Sequence, residues 1–131
     1  MENPYAPTHP EIRDAVRQLC LKFDGSYWRE LDRERGYPTA FVKALTEAGW
    51  LSILIPEEYG GMGLGVFEYC LIAEELARAW MSVASIIARG NGLSAGRGMT
   101  EAQRAVFLPR AARGEFLGAA AMSEPNVGSD L

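Results

Sequence analysis

Ser123 and Ser129 bracket the residues best placed for chemistry in this sequence: Glu124, Pro125, Asn126, Val127 and Gly128. Pro125 fixes its own φ and pushes Glu124 towards extended geometry, so the chain leaves the preceding apolar run as a stiff loop. Gly128 has access to positive φ, which lets nearby N–H groups and the Ser129 hydroxyl turn towards an anion. Two hydroxyls beside free backbone donors suit a ligand with a polar ring edge and a phosphate. Other chemistries lack their parts. His9 is the sole histidine, and Cys20 and Cys70 have no ligand-like spacing. Neither a metal site nor a histidine-dependent triad is therefore expected. Both cysteines read as buried, reduced thiols of a helical core.

Positioning that loop requires the elements upstream. Residues 116–122 are apolar and long enough for one buried strand feeding it. Before them the pattern is helical. Thr8 can cap a helix with Pro10 and Glu11 in its first turn, and Ile12, Val16, Leu19, Leu21 and Phe23 give its apolar stripe. Asp24-Gly25-Ser26 breaks that helix, and residues 27–35 read as short helix and exposed turn. Pro38 opens the next helix, with Phe41, Val42, Leu45 and Ala48 inward and Gly49 at its end. Residues 50–55 form a buried apolar connection rather than a strand.

The glycines at 60, 61, 63 and 65 match neither a dinucleotide turn nor a Walker loop, so they read as a turn between helices. Residues 66–80 are apolar on most sides, which predicts a central helix, with Glu74 and Glu75 as ordinary exposed or capping carboxylates. A second buried helix is expected over 81–97, capped by Ser82. Thr100 and Gln103 form a capping box for a helix burying Val106, Phe107 and Leu108, kinked or restarted at Pro109.

A chain of 131 residues fits one domain, and 48% hydrophobic against 23% charged residues is ordinary for a globular protein. The net charge of −4 argues against a nucleic-acid binder, which needs a basic face. No apolar run reaches the ~20 residues of a membrane span. The first residues carry neither a secretion signal nor an Arg-rich transit pattern. A cytoplasmic location is expected.

The run Ala120-Ala121-Met122-Ser123-Glu124-Pro125-Asn126-Val127-Gly128-Ser129-Asp130 resembles the flavin-binding signature of acyl-CoA dehydrogenases. Two further stretches are similar to the same family: Ile55-Pro56-Glu57-Glu58-Tyr59-Gly60-Gly61-Met62-Gly63, and Ala73-Glu74-Glu75-Leu76-Ala77 with Asn91 following. The resemblance implies an all-α helical bundle over residues 1–115, with a short C-terminal strand in residues 116–131 opening a truncated central β-domain. It implies FAD as cofactor, with Ala120, Ala121, Met122, Ser123, Gly128 and Ser129 along it. Ser123 would donate to the ring edge, and Ser129 would meet the pyrophosphate or the pantetheine arm of an acyl-CoA substrate. Ile86 and Ile87 would favour an apolar acyl tail and Arg89 a polar or carboxylated one, the competing reading being core packing with a snorkelling arginine.

The family's catalytic base lies further downstream, so no catalytic residue is assigned and the segment alone is expected to be silent. The remaining domains of the same enzyme are its expected partners. Apolar surface left bare by them makes a homo-oligomer the expectation as well. A flavin oxidase or monooxygenase of the same fold, and a non-catalytic helical interaction module, are the competing readings. Asn126-Val127 departs from the Gly-Ala common in the family, and Val127 disfavours positive φ.

Overall fold

The computed structural model describes residues 9–91, 96–119, 124–126 and 128. Helix α1 spans Pro10–Cys20, α2 Gly25–Glu34, α3 Thr39–Glu47, α4 Val66–Ala79, α5 Ala84–Gly90 and α6 Glu101–Ala112. The bundle is all-α, as expected. The proposed Thr8 cap lies outside the described residues, and His9, in left-handed geometry, precedes α1.

Asp24 does more than interrupt the chain. Its carboxylate accepts the N–H groups of Ser26 and Tyr27 at 2.9 and 3.1 Å, capping a full helix where a short one was expected. Helix α2 thereby lays Trp28 on Phe41 of α3, ring centroids 5.0 Å apart, and Phe41 meets Phe23 at 5.1 Å. Edge-on aromatic contacts of this kind add to the area they bury.

Helix α4 is the longest of these helices and packs along α1. Only one of its sides is buried, through Leu71, Ile72, Glu75 and Leu76. Val66 and Phe67 are exposed, and so is Cys70, correcting the expectation of two buried thiols. Cys20 is the buried one, and burial, with the Glu75 carboxylate adding, pushes its thiol up. Leu21 is exposed because α1 ends one residue earlier, and Ala48 because it terminates α3.

Residues 50–55 run as consecutive turns through the interior, with Leu51, Ile53 and Ile55 fully buried. The glycine segment lies back on this stretch. Met62 donates to Ser52 O, Gly63 to Ile55 O and Leu64 to Ile53 O, at 2.8–2.9 Å. Those three donors are consumed within the fold, which agrees with the turn reading and leaves little for a phosphate.

After α4 the chain differs from the single helix expected over 81–97. Met81–Val83 is a 3-10 turn without a Ser82 cap, and α5 follows, ending at Asn91. Residues 92–95 lie outside the described residues.

Helix α6 begins with the expected capping box: Thr100 Oγ1 accepts Gln103 N–H, and Gln103 Oε1 accepts Thr100 N–H at 2.8 Å. It runs unbroken through Pro109, and it buries Leu108 and Ala111 rather than Val106 and Phe107. Leu108 and Ala111 meet Ile55 in a small second core, with Tyr59 and Phe116 beside it. Thr100→Ala is expected to lower stability by about 1 kcal/mol. An unchanged urea midpoint would show that this helix end is held by tertiary contacts instead.

Candidate functional site: the signature approach and the α2–α5 cavity

The approach to the signature is set where α6 stops. Gly114, at φ 70°, lies against α3, where an added Cβ would meet Thr46 Cγ2 at 2.4 Å. Glu115 then accepts Arg110 Nε and Arg113 Nε, both at 2.8 Å, which holds its carboxyl below the usual range. The Arg110 guanidinium also sits 5.6 Å from the centre of the Phe116 ring.

From there successive side chains alternate. Phe116 enters the small core and Leu117 the main core. Such alternation is what an extended segment produces. Residues 116–119 nevertheless form no strand, and residues 120–122 lie outside the described residues. The backbone explains the difference. The Gly118 N–H donates to Arg89 O of α5, at 3.0 Å, instead of to a neighbouring strand. The described part of the expected strand is thus sewn onto a helix end.

Of the signature itself, Ala120, Ala121, Met122, Ser123 and Ser129 lie outside the described residues. Glu124 makes an isolated β-bridge, in line with the extended geometry expected before Pro125, and residues 124–126 and Gly128 are exposed. A Cβ added at Gly128 would meet nothing within 4 Å. That leaves its backbone approachable by a large ligand.

Helix α5 also forms one wall of a cavity of about 500 Å³ facing α2. Trp28 and Trp80, stacked 5.7 Å apart at 11°, line it with Ile86 and Arg89. Ile87 is fully buried in the main core, and Ile86, which belongs to the same core, also reaches the cavity lining. Of the two isoleucines expected at the acyl tail, Ile86 lines the cavity and Ile87 does not.

Two further residues acquire their positions only here. Asn91, buried at the end of α5, accepts Leu54 N–H through Oδ1 at 3.0 Å and donates through Nδ2 to Ile87 O at 2.9 Å. It anchors the cavity helix to residues 50–55. Glu75 is only 1% exposed, correcting its reading as an exposed or capping carboxylate. It accepts Arg17 Nε at 2.7 Å, Arg17 Nη2 at 2.8 Å and Arg13 Nη1 at 2.8 Å, with Arg78 Nη1 at 3.6 Å. Arg17 first, then Arg13 and the charge of Arg78, hold its carboxyl below the ordinary range despite burial. A carboxylate so occupied has no vacancy for a substrate proton. The signal in the sequence was Arg13 and Arg17, four residues apart on one helix face and so able to converge on one acceptor.

Among the described residues no group of three or more His, Cys, Asp or Glu could hold a metal ion. None of their helices is long and apolar enough to cross a membrane.

Fold and site together describe a helical domain that ties an extended segment to the helix walling a partly apolar cavity. Residues 6–115 match the family model for the acyl-CoA dehydrogenase N-terminal domain. The chain belongs to the acyl-CoA dehydrogenase family. It is 34% identical over 129 residues to a mitochondrial isovaleryl-CoA dehydrogenase of Solanum tuberosum, covering 95% of this chain and 31% of that protein. It is 40% identical over 126 residues to the mitochondrial isovaleryl-CoA dehydrogenase of Pongo abelii, covering 92% and 30%. With a (2S)-methylsuccinyl-CoA dehydrogenase of Cereibacter sphaeroides it shares 41% over 102 residues, 76% of this chain and 18% of that one. A crystal structure of acyl-CoA dehydrogenase complexed with FAD from Bacillus anthracis superposes with a TM-score of 0.76 at 29% identity, over 98% of this chain and 23% of that chain. The chain thus spans less than a third of the length of each of these proteins.

Proposed function

We propose that these 131 residues are the N-terminal part of an FAD-dependent acyl-CoA dehydrogenase, which introduces an α,β double bond into an acyl-CoA thioester. Residues 1–115 form its helical domain and residues 116–131 open the next one. When bound, FAD supplies the acceptor for the substrate's β-hydride. The chain's own residues orient it. Ser123 would donate to the polar edge of the ring, the backbone and side chain of Met122 would lie against it, and Ala120, Ala121 and Gly128 would line it. Ser129 would reach the pyrophosphate or the pantetheine arm. Ile86 lines the acyl tail's cavity and Ile87 backs it from the core.

One observation carries this reading beyond family membership. The Gly118–Arg89 hydrogen bond holds the approach to the flavin signature against the helix that walls the cavity. In this reading the approach to the cofactor loop shares one frame with the acyl cavity, which supports positioning a reacting carbon against a flavin. The exposed turn at 124–126 and the open space at Gly128 fit a bulky dinucleotide.

In this reading the α-proton is taken by a base outside these residues. Glu75 is occupied by arginines, and Glu74 is exposed and paired with Arg13. Self-association and docking to the remaining domains would cover Val66, Phe67 and Met81, all exposed here. The cytoplasm is the compartment in this reading, and the thiols of Cys20 and Cys70 are compatible with any reducing one.

FAD titration of the complete gene product beside the 131-residue chain tests the proposal. Stoichiometric flavin in the complete product, bleached anaerobically by an acyl-CoA, is expected, with neither in the shorter chain. A complete product without flavin would overturn the proposal. Rapid reoxidation of the reduced flavin by oxygen would place the protein among the oxidases or monooxygenases instead.

A further inference from the structure

We infer that the cavity between α2 and α5 selects an acyl group ending in a carboxylate, which Arg89 binds. The inference rests on the acyl-CoA reading above and names the substrate class of that site. Charge is the first observation. The cavity lining carries two cations, Arg35 and Arg89, against one anion, Asp32, in a chain whose net charge is −4. Among the described residues no carboxylate pairs with either cation of the lining, Arg35 or Arg89, and of the two Arg89 is the one whose backbone is tied to the signature approach.

Position is the second. The carbonyl of Arg89 itself accepts the Gly118 N–H at 3.0 Å, two residues before the flavin signature begins. The base of this side chain is therefore fixed relative to the segment that leads to the flavin. Ile86 lies three residues earlier on the same helix, and the stacked Trp28 and Trp80 share the lining. The lining thus offers a tail both methylene-compatible walls and a guanidinium. A guanidinium matches a carboxylate through two parallel N–H···O bonds, a geometry that lysine lacks. A neutral tail would strip water from Arg89 and return nothing.

The test uses the complete flavin-loaded protein and matched thioesters: glutaryl- against pentanoyl-CoA and adipyl- against hexanoyl-CoA. The carboxylated member of each pair is expected to have at least about tenfold higher kcat/KM, mostly through KM. Arg89→Gln should collapse that ratio by about tenfold or more, and Arg89→Lys should restore part of it. Preference of the unsubstituted protein for the neutral members would overturn the inference, as would an Arg89→Gln variant that lowers both series equally. If no acyl-CoA reduces the flavin at all, the dehydrogenase reading fails by itself. The anion site is then judged by titrating the 131-residue chain with glutarate and following the Arg89 Nε–H resonance. A saturable shift upholds it and an unmoved resonance overturns it.

Discussion

Gly61→Ala is expected to destabilise the domain by about 3 kcal/mol or more, the upper range for forcing an added methyl into packed structure. The added Cβ would stand 2.0 Å from Ile55 O and 2.5 Å from the carbonyl carbon and Cβ of the same residue. No side-chain rotation relieves this, because the obstructing atoms are backbone and a fully buried isoleucine. Moving Ile55 would also break the bond its carbonyl accepts from Gly63 N–H at 2.9 Å, leaving a polar group unsatisfied. The small core beside Leu108 and Ala111 would lose its Ile55 contact. Gly98→Ala is the control. Gly98 has φ 81° with nothing within 4 Å of an added Cβ, so only the left-handed backbone penalty of about 1–2 kcal/mol applies. Urea denaturation of both variants decides the matter, and a Gly61→Ala loss no larger than that of Gly98→Ala would refute the close-approach account.

Removing Glu75 is expected to have the second largest effect and to be the one that depends on pH. Glu75→Ala leaves Arg13 and Arg17 facing an empty acceptor between α1 and α4. Deleting one partner of a buried ion pair costs about 3–5 kcal/mol. The arginines here are 16% and 42% exposed and can rehydrate, so about 2–3 kcal/mol is expected once that solvent screening is allowed for. Glu74→Ala, by contrast, removes a side chain that is 62% exposed and should change little.

The sign of the pH effect follows from the depressed carboxyl of Glu75. Its stabilisation is fully present above the unfolded-state carboxylate range near about pH 4.3, and it disappears as pH falls through the lower folded-state value. The unsubstituted protein should lose stability between about pH 5 and pH 3, and Glu75→Gln should flatten that slope. Parallel pH profiles for the two would show that Glu75 contributes nothing to acid sensitivity.

The sequence by itself determined most of the helices and the signature, because those depend on short-range rules. Thr100 and Gln103 sit three apart, the spacing at which two side chains close a capping box, and the box is present. Trp50, Leu51, Ile53 and Ile55 resisted a strand reading and are indeed turns. The family signature was legible because it is a contiguous string.

Tertiary structure decided what depends on partners distant in sequence. Glu75 reads as an exposed or capping carboxylate until α1 brings Arg13 and Arg17 across 62 and 58 positions. Cys70, Val106 and Phe107 look apolar enough for a core, yet a residue is buried only where another element covers it, and the described residues leave them bare. Residues 116–119 have the alternation of a strand without a ladder, because their backbone donor finds a helix carbonyl, 29 residues back along the chain, instead of a neighbouring strand. Periodicity reports which side of an element is apolar; only the packed fold supplies what that side meets.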